Sequence, residues 1–487
     1  MGYKENIFWN EENVRIDFAA KYFTLVGDLS MNNDKKYAPL AAQLPGDDFL
    51  GYYFFMNEGG AKVNLGRFSF DAGRFKNYDI IDSPYSLFIN SNGISANTLT
   101  LKYDGAYVQY QSQWIEFNSR SGVSTPAWDE YHKRLEQGGQ YLPVENNESD
   151  YDSNYSPYTL GFPDRGANYK TYALKIKDWR IGFLDAAVYT GRSFDYEYFL
   201  NPLPQYFIQY VKVAEGRPWS TGSNENDMIG FFWDIKKEQK WDAYAQVLSE
   251  DLNLGFLNPL FGEGTFSTIP WKGAWALGGR IYTPYGRFGF HHAGALKYTF
   301  EPIGSPEGTR SGDDAITAYG YSYYPETRYY SDGSLVNILI EDTMAGYKYG
   351  ENNIAFQFDY QHTIKKFLVN AALELVLAGS NSPANPWQEN ARQRDSRTGL
   401  LDDGFETRLE LRGNVSRAFG RWTFWAAAAV GGRFNKLELV NPADLNSDGY
   451  TDQYSGVADT IWIWKASNKH EAILRFSLGA RCWLGVL

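Results

Sequence analysis

The sequence predicts an all-β fold: a single closed antiparallel transmembrane β-barrel of about 16–18 strands, with long polar external loops and one short loop helix. Three observations lead there. Runs of nine or more residues alternate between apolar and polar side chains, the period of a strand that faces two different media. Tight turns such as Asp104-Gly105 alternate with long loops rich in Asn, Asp, Ser and Tyr. Aromatic residues are abundant, with 37 Tyr, 32 Phe and 15 Trp, and they gather near strand ends in WDAYAQ, RYYSDG and IWIWKA, where a membrane interface would hold them.

The alternation can be followed along the chain. Arg15 to Leu25 alternates loosely, and GYYFFMN is expected to close on a turn at Glu58-Gly59-Gly60 before AKVNLGRFSFDAGRF. In LTLKYDGAYVQYQSQWIEF, Val108, Tyr110 and Trp114 share one row, and Gln109, Gln111 and Gln113 share the other. TYALKIKDWRIGF sets Tyr172, Leu174 and Ile176 against Ala173, Lys175 and Lys177. NIAFQFDYQH opposes Ile354, Phe356 and Phe358 to Gln357, Asp359 and Gln361. KKFLVNAALELVLAG, TRLELRGNV, RWTFWAAAAV and EAILRFSLGARCWLGVL continue the pattern, with a Ser331-Asp332-Gly333 turn between blocks. PAWDEYHKRLEQ, from Pro126, is the one clear helical stretch, with acidic residues early and basic ones later.

A soluble strand averages about 5–6 residues, whereas a strand crossing a bilayer at a tilt needs about 9–11. A propeller would repeat every ~40–45 residues, and this chain has no such repeat. The apolar row is therefore expected to face lipid and the glutamine row a wet interior. A bilayer admits sheets only when the strands close on themselves and satisfy their own hydrogen bonds. No change of composition divides the chain, so residues 1–487 are expected to form one barrel domain.

Net charge and cysteine content exclude other classes. A formal charge of −12 lacks the basic footprint of a nucleic-acid binder. One cysteine, Cys482, excludes a disulfide framework and a multi-Cys zinc site. No run approaches the ~18 apolar residues of a membrane helix. The opening residues lack the layout of a secretory signal, so an outer-membrane location implies a mature form with a new start Met.

The predicted lumen row holds the candidate site: Gln109, Gln111, Gln113, Asp185, Asp359, Glu374, Arg408, Glu410 and Arg412. Opposed charges inside a barrel either set the selectivity of a pore or brace a closed one. The sharpest local motif is DLNSDGYTD, in which Asp444, Asn446, Asp448, the Tyr450 carbonyl and Asp452 match the opening positions of a calcium loop. Ser455 stands where the bidentate Glu would be, and a solvated acidic loop is the plainer reading. Ca2+ is thus the one cofactor the sequence offers, and none is required. The pair His291-His292 has no metal-ligand spacing, and neither a GxSxG elbow nor a phosphate-binding loop is present.

Two blocks carry a family resemblance. VNLGRFSFDAGRFKNYDIIDSPYSLFINSNGISANTLTLKYDGAYVQYQSQWIEF (63–117) resembles the early barrel of the capsule assembly Wzi family, where a strand ending in Gly-Arg leads through a polar Ser/Asn loop to the next hairpin. DWRIGFLDAAVYTGRSFDYEYFLNPLPQYFIQY (178–210) is similar to that family's later block, with its Tyr-x-Gly-Arg segment and aromatic-Leu-x-Pro-Leu turn. The resemblance implies an 18-stranded outer-membrane barrel of a diderm bacterium that helps hold surface polysaccharide, without enzymatic activity. Outer-membrane lipid and surface polysaccharide are then the expected partners, with no nucleic acid and no stated oligomeric order. The alternatives are a passive porin or substrate channel and a soluble all-β carbohydrate-active enzyme.

Overall fold

A computed structural model describes residues 10–33, 46–119, 164–212, 225–238, 240–251, 272–297, 299–300, 328–329, 335–336, 344–380, 399–401, 404–440 and 463–483. Its core is an 18-stranded sheet in which sequence neighbours pair antiparallel. The strands come first as β1 (Glu11–Ala19), β2 (Phe23–Asn32), β3 (Gly46–Phe49), β4 (Tyr52–Leu65), β5 (Phe68–Phe75), β6 (Ala96–Asp104), β7 (Val108–Asn118), β8 (Arg165–Ile176) and β9 (Trp179–Thr190). Two short helices follow, α1 (Tyr196–Leu200) and α2 (Gln205–Lys212). The series resumes with β10 (Glu225–Lys237), β11 (Trp241–Asp251), β12 (Lys272–Thr283) and β13 (Gly286–Ala295), and a separate small pair is formed by β14 (Arg328–Tyr329) and β15 (Leu335–Val336). The sheet then continues through β16 (Asn353–Ile364), β17 (Phe367–Gly379), β18 (Phe405–Phe419) and β19 (Trp422–Phe434). β20 (Leu437–Val440) pairs with β21 (Ile463–Ala466), and β22 (Glu471–Cys482) returns beside β19 as the last strand of the sheet.

At one end of the sheet, hairpin turns are two or three residues long, as at 66–67, 105–107, 177–178 and 365–366. The longer connections all leave from the other end. β1 and β22 are the end strands, and among the described residues no pairing joins them.

Period-two geometry sends each strand's rows to opposite faces. On the outward face Phe358, Leu373, Leu411, Val430 and Leu474 lie side by side across five strands. All five are strongly exposed, Leu474 to 82%. The opposite rows are buried although many are polar: Gln109, Gln113, Gln246, His291, Gln357 and Glu374 are all below 9%. This is the reverse of a water-soluble sheet, and it is the surface of a membrane-spanning barrel.

What buries the inward rows is chain. The connection between β5 and β6, residues 76–95, folds against them, and Tyr85, Leu87, Phe88 and Ile89 join one apolar cluster with residues from β4, β7 to β13, β16 and β17. So short a segment can cover inward rows from that many strands only if the sheet curls around it. The wall is a barrel, and residues 76–95 fill the part of it that these strands line.

Two expectations are corrected. Arg15 to Leu25 is not one run: Ala20 donates its N–H to the Phe23 carbonyl at 2.8 Å, and the chain reverses between β1 and β2. Glu58-Gly59-Gly60 is not a turn but the middle of β4. A Cβ on Gly60 would meet the Ala72 carbonyl at 2.5 Å and Gly73 Cα at 2.8 Å, so the glycines permit close strand approach beside an irregularity at Asp28/Leu29. The helix expected from Pro126 and the Ser331-Asp332-Gly333 turn lie outside the described residues.

The two faces should respond differently to charge. Leu411→Arg, outward in mid-β18, should cost about 2–4 kcal/mol of unfolding free energy in lipid. Asn414→Arg, on the inward row of the same strand, should leave the urea midpoint close to the parent's.

Candidate functional site

The candidate site is the filled interior. The 76–95 segment is hooked to five strands of the wall. Gln113 on β7 donates to Asn77 Oδ1 at 2.6 Å, and Arg180 on β9 donates to the Ile80 carbonyl at 2.9 Å. Arg280 on β12 binds Asp82 through its carbonyl at 2.8 Å and its carboxylate at 2.9 Å. Ser83 donates to Tyr244 Oη on β11 at 2.6 Å, and Tyr85 donates to Glu374 Oε1 on β17 at 2.8 Å. Gln246, also on β11, accepts from Leu87 N and donates to Asp79 Oδ1.

Asp79 organises the segment itself. Its carboxylate accepts the backbone N–H groups of Ile81, Phe88 and Ile89, which ties the loop into a compact turn. Burial pushes this carboxyl upward from its ordinary range, and those donors act against the shift. A second inserted piece, Met344–Gly350, meets the first through the Gly346 N–H to Phe88 carbonyl bond and an Ile89–Ala345 bridge.

Small residues on the wall make room. A Cβ on Gly230 would lie 2.7 Å from the Phe88 ring, and one on Gly278 would lie 2.7 Å from Tyr244 Oη. Without a side chain at Gly230 the wall accepts Phe88 of the inserted segment, and without one at Gly278 it seats the Tyr244–His291 pair.

The densest charge cluster centres on Glu374, whose side chain is 3% exposed. Lys348 Nζ and Arg412 Nη1 both lie 2.9 Å from its oxygens, and Arg412 Nη2 donates to Gln357 Oε1 at 2.6 Å. Lys348 also sits over the rings of Tyr85 and Tyr349, at 4.8 and 4.6 Å. Glu410 lies opposite Glu374 in register, and Arg408 and Arg475 neutralise it. Further round the wall, Tyr244 Oη, His291 and Asp359 form a relay at 2.8 and 2.7 Å that ends on Arg287 at 3.0 Å. These groups satisfy one another, an arrangement that braces a wall.

The sequence-derived lumen residues divide unevenly. Gln109, Gln111, Gln113, Asp359, Glu374, Arg408, Glu410 and Arg412 occupy the inward rows. Asp185 does not. In register with Lys170 and Ile229, it lies on the row of Trp179 and Ile181, which is the outward one, and it is buried there by α1 and α2. The histidine pair splits: His291 points inward, while His292 sits in the outward row, hydrogen-bonded to Trp275 Nε1 and the Ala355 carbonyl. The calcium motif Asp444, Asn446, Asp448, Tyr450 and Asp452 lies outside the described residues. Among the described residues no three His, Cys, Asp or Glu side chains form a metal cluster.

Sequence reasoning missed the inserted segment, which it took for a polar loop. Ile80, Ile81, Tyr85, Leu87, Phe88, Ile89 and Ile94 within 20 residues were the available signal, because an external loop has nowhere to bury them.

No family model matches the chain, and no curated protein matches it. Among solved structures it is similar to Wzi of Escherichia coli, described as an outer membrane protein involved in group 1 capsule assembly and a carbohydrate-binding β-barrel. That match has 10% identity, covers 87% of this chain and 74% of that one, and has a TM-score of 0.48. OccD3 of Pseudomonas aeruginosa matches at 9% identity, covering 98% and 87%, with a TM-score of 0.37. The outer membrane protein OmpT of Vibrio cholerae matches at 8% identity, covering 97% and 91%, with a TM-score of 0.30. The fold assignment stands on the strand pairing and burial described above.

Removing the Glu374 carboxylate should leave the buried Lys348 without its counter-ion and Arg412 without its strongest partner. Glu374→Gln should therefore cost about 3 kcal/mol or more, read as a lowered denaturant midpoint. Tyr85→Phe, which keeps the carboxylate between its two cations, should cost about 1.5 kcal/mol.

Proposed function

We propose that this chain is an outer-membrane β-barrel that acts at the cell surface, holding or helping to assemble polysaccharide, and that it neither transports solutes nor catalyses a reaction. The observation that carries this reading is the inserted 76–95 segment, hydrogen-bonded to β7, β9, β11, β12 and β17 and sealed by apolar packing. Each anchor holds the segment in place, and a solute diffusing along those strands would have to displace them. A barrel filled to this extent favours partners at its loops and rims. The resemblance of residues 63–117 and 178–210 to the capsule assembly Wzi family supports polysaccharide as the partner class.

A second reading, a passive channel, has one feature in its favour. β18, β19, β22 and β1 contribute nothing to the buried apolar cluster, and on that side Arg412 and Arg475 keep side-chain exposures of 39% and 50%. Exposed guanidinium faces of this kind suit an anion path, although each is also bridged to Glu374 or Glu410.

Planar-bilayer recording separates the two. The intact protein should insert without a stable open-channel current, and deletion of residues 79–90 should produce one. Titration with purified bacterial surface polysaccharide should give saturable binding that this deletion leaves intact. A steady current from the intact protein would end the attachment reading.

A further inference from the structure

The described part of the connection between β9 and β10, residues 191–212, places many polar side chains inward and many apolar ones outward, with Tyr198, Phe199 and Ile208 as its buried apolar contacts. Its charged and amide side chains Arg192, Asp195, Gln205 and Lys212 turn toward the barrel wall, and Asp195, Gln205 and Lys212 are buried. Asp195 caps α1 by accepting from Glu197 N and Tyr198 N, and it pairs with Lys212 from α2 at 2.6 Å, so the two helices are clasped on their inner side. Facing away from the protein are Tyr196, Leu200, Leu203, Phe207, Tyr210 and Val211, each more than half exposed. A water-facing cover would have the opposite arrangement.

The wall beneath is equally unusual. Over the short-turn half of β8 to β10 the outward row is apolar and bare, with Leu174, Ile176, Trp179, Ile181 and Phe231. Over the other half it becomes mixed: Ala187 and Tyr189 pack against Tyr198 and Ile208 of the cover, beside the polar Asn168, Lys170, Asp185 and Asp227 and, on β7, Ser112. Among the described residues, the cover supplies hydrogen-bond partners at Ser112, Asn168, Lys170 and Asp185, and not at Asp227. Lys170 Nζ donates to the carbonyls of Asn201 and Leu203 at 2.6 and 2.7 Å, and Ser112 Oγ donates to that of Phe199 at 2.7 Å. Gln205 donates its backbone N–H to the Asp185 carboxylate and its amide to the Asn168 and Asp185 carbonyls. The fit is close: a Cβ on Gly166 would collide with the Ser193 carbonyl at 2.1 Å.

We propose that residues 191–212 are a membrane-embedded cover, lying flat on the outside of the barrel with the aromatic face of α1 and α2 against lipid acyl chains. Continuity decides the occupant. The exposed side chains of the cover extend the bare apolar row of β8–β10 toward the long-loop end, so that the hydrocarbon-facing band keeps its height across a wall that is partly polar underneath. Left bare, polar groups there would be strongly disfavoured in hydrocarbon. The tyrosines suit the headgroup boundary, where an aromatic ring can stay in apolar contact while its hydroxyl is wet. This inference rests on the barrel spanning a membrane and is independent of what the surface loops bind.

The test is site-directed spin labelling of the full chain in a Cys482→Ser background, reconstituted in phosphatidylethanolamine–phosphatidylglycerol vesicles. Nitroxides at Phe207→Cys and, on the other helix, Tyr196→Cys should be relaxed more by oxygen than by a water-soluble nickel chelate. They should match a Leu411→Cys control on the barrel wall. Greater relaxation by nickel at both cover sites, with the control still favouring oxygen, would overturn the cover alone. Nickel preference at the control as well would overturn the membrane-spanning barrel itself. Low access to both relaxants together with dipolar broadening would overturn lipid as the occupant in favour of a second copy of this chain.

Discussion

Every strand of this wall must satisfy two solvents at once while giving its backbone hydrogen bonds only to its neighbours. Alternation supplies the two faces and antiparallel pairing supplies the hydrogen bonds. Phe358, Leu373, Leu411, Val430 and Leu474 are exposed for the same reason that Gln357, Glu374 and Glu410 are buried: the register that sends one row to hydrocarbon sends the other inward. A shift of one residue in any pair would reverse both.

That constraint leaves a polar interior to be filled or left to water, and here the chain fills much of it. The 76–95 segment is half apolar and half hydrogen-bonding, which suits a wall whose inward rows mix glutamines and charges with Ala173, Ala276, Ala293 and Ala355. Its apolar side chains gather over the small residues, and its carbonyls and hydroxyls take up Arg180, Arg280 and Tyr244. Charges remote from the segment pair with one another, as Glu410 does with Arg408 and Arg475. An interior braced in this way stays polar without staying open.

The β9–β10 connection shows the same rule applied locally. Where β7 to β10 break the outward apolar row with Ser112, Lys170, Asp185 and Asp227, a segment with many of its polar side chains turned inward covers the break. Asp185 looks like a lumen residue because it is acidic and interrupts an apolar row. It faces outward because parity, and not polarity, sets direction along a strand. There α2 delivers the Gln205 N–H to its carboxyl group.

Alternation, turn chemistry and aromatic placement determined the sheet, its approximate strand number, and the row on which eight of the nine nominated lumen residues lie. Those features depend on neighbours two residues apart, and they are local. The sequence by itself did not decide where the connections go. Residues 76–95 read as a polar loop and residues 191–212 as part of a turn, because whether a connection bends into the lumen, onto the outer wall or away from both depends on partners far along the chain. Tyr85 finds Glu374 289 positions away, and Ser83 finds Tyr244 161 positions away. Only the curled sheet brings such groups together, so the filling of the interior and the covering of the outer polar patch belong to the tertiary structure.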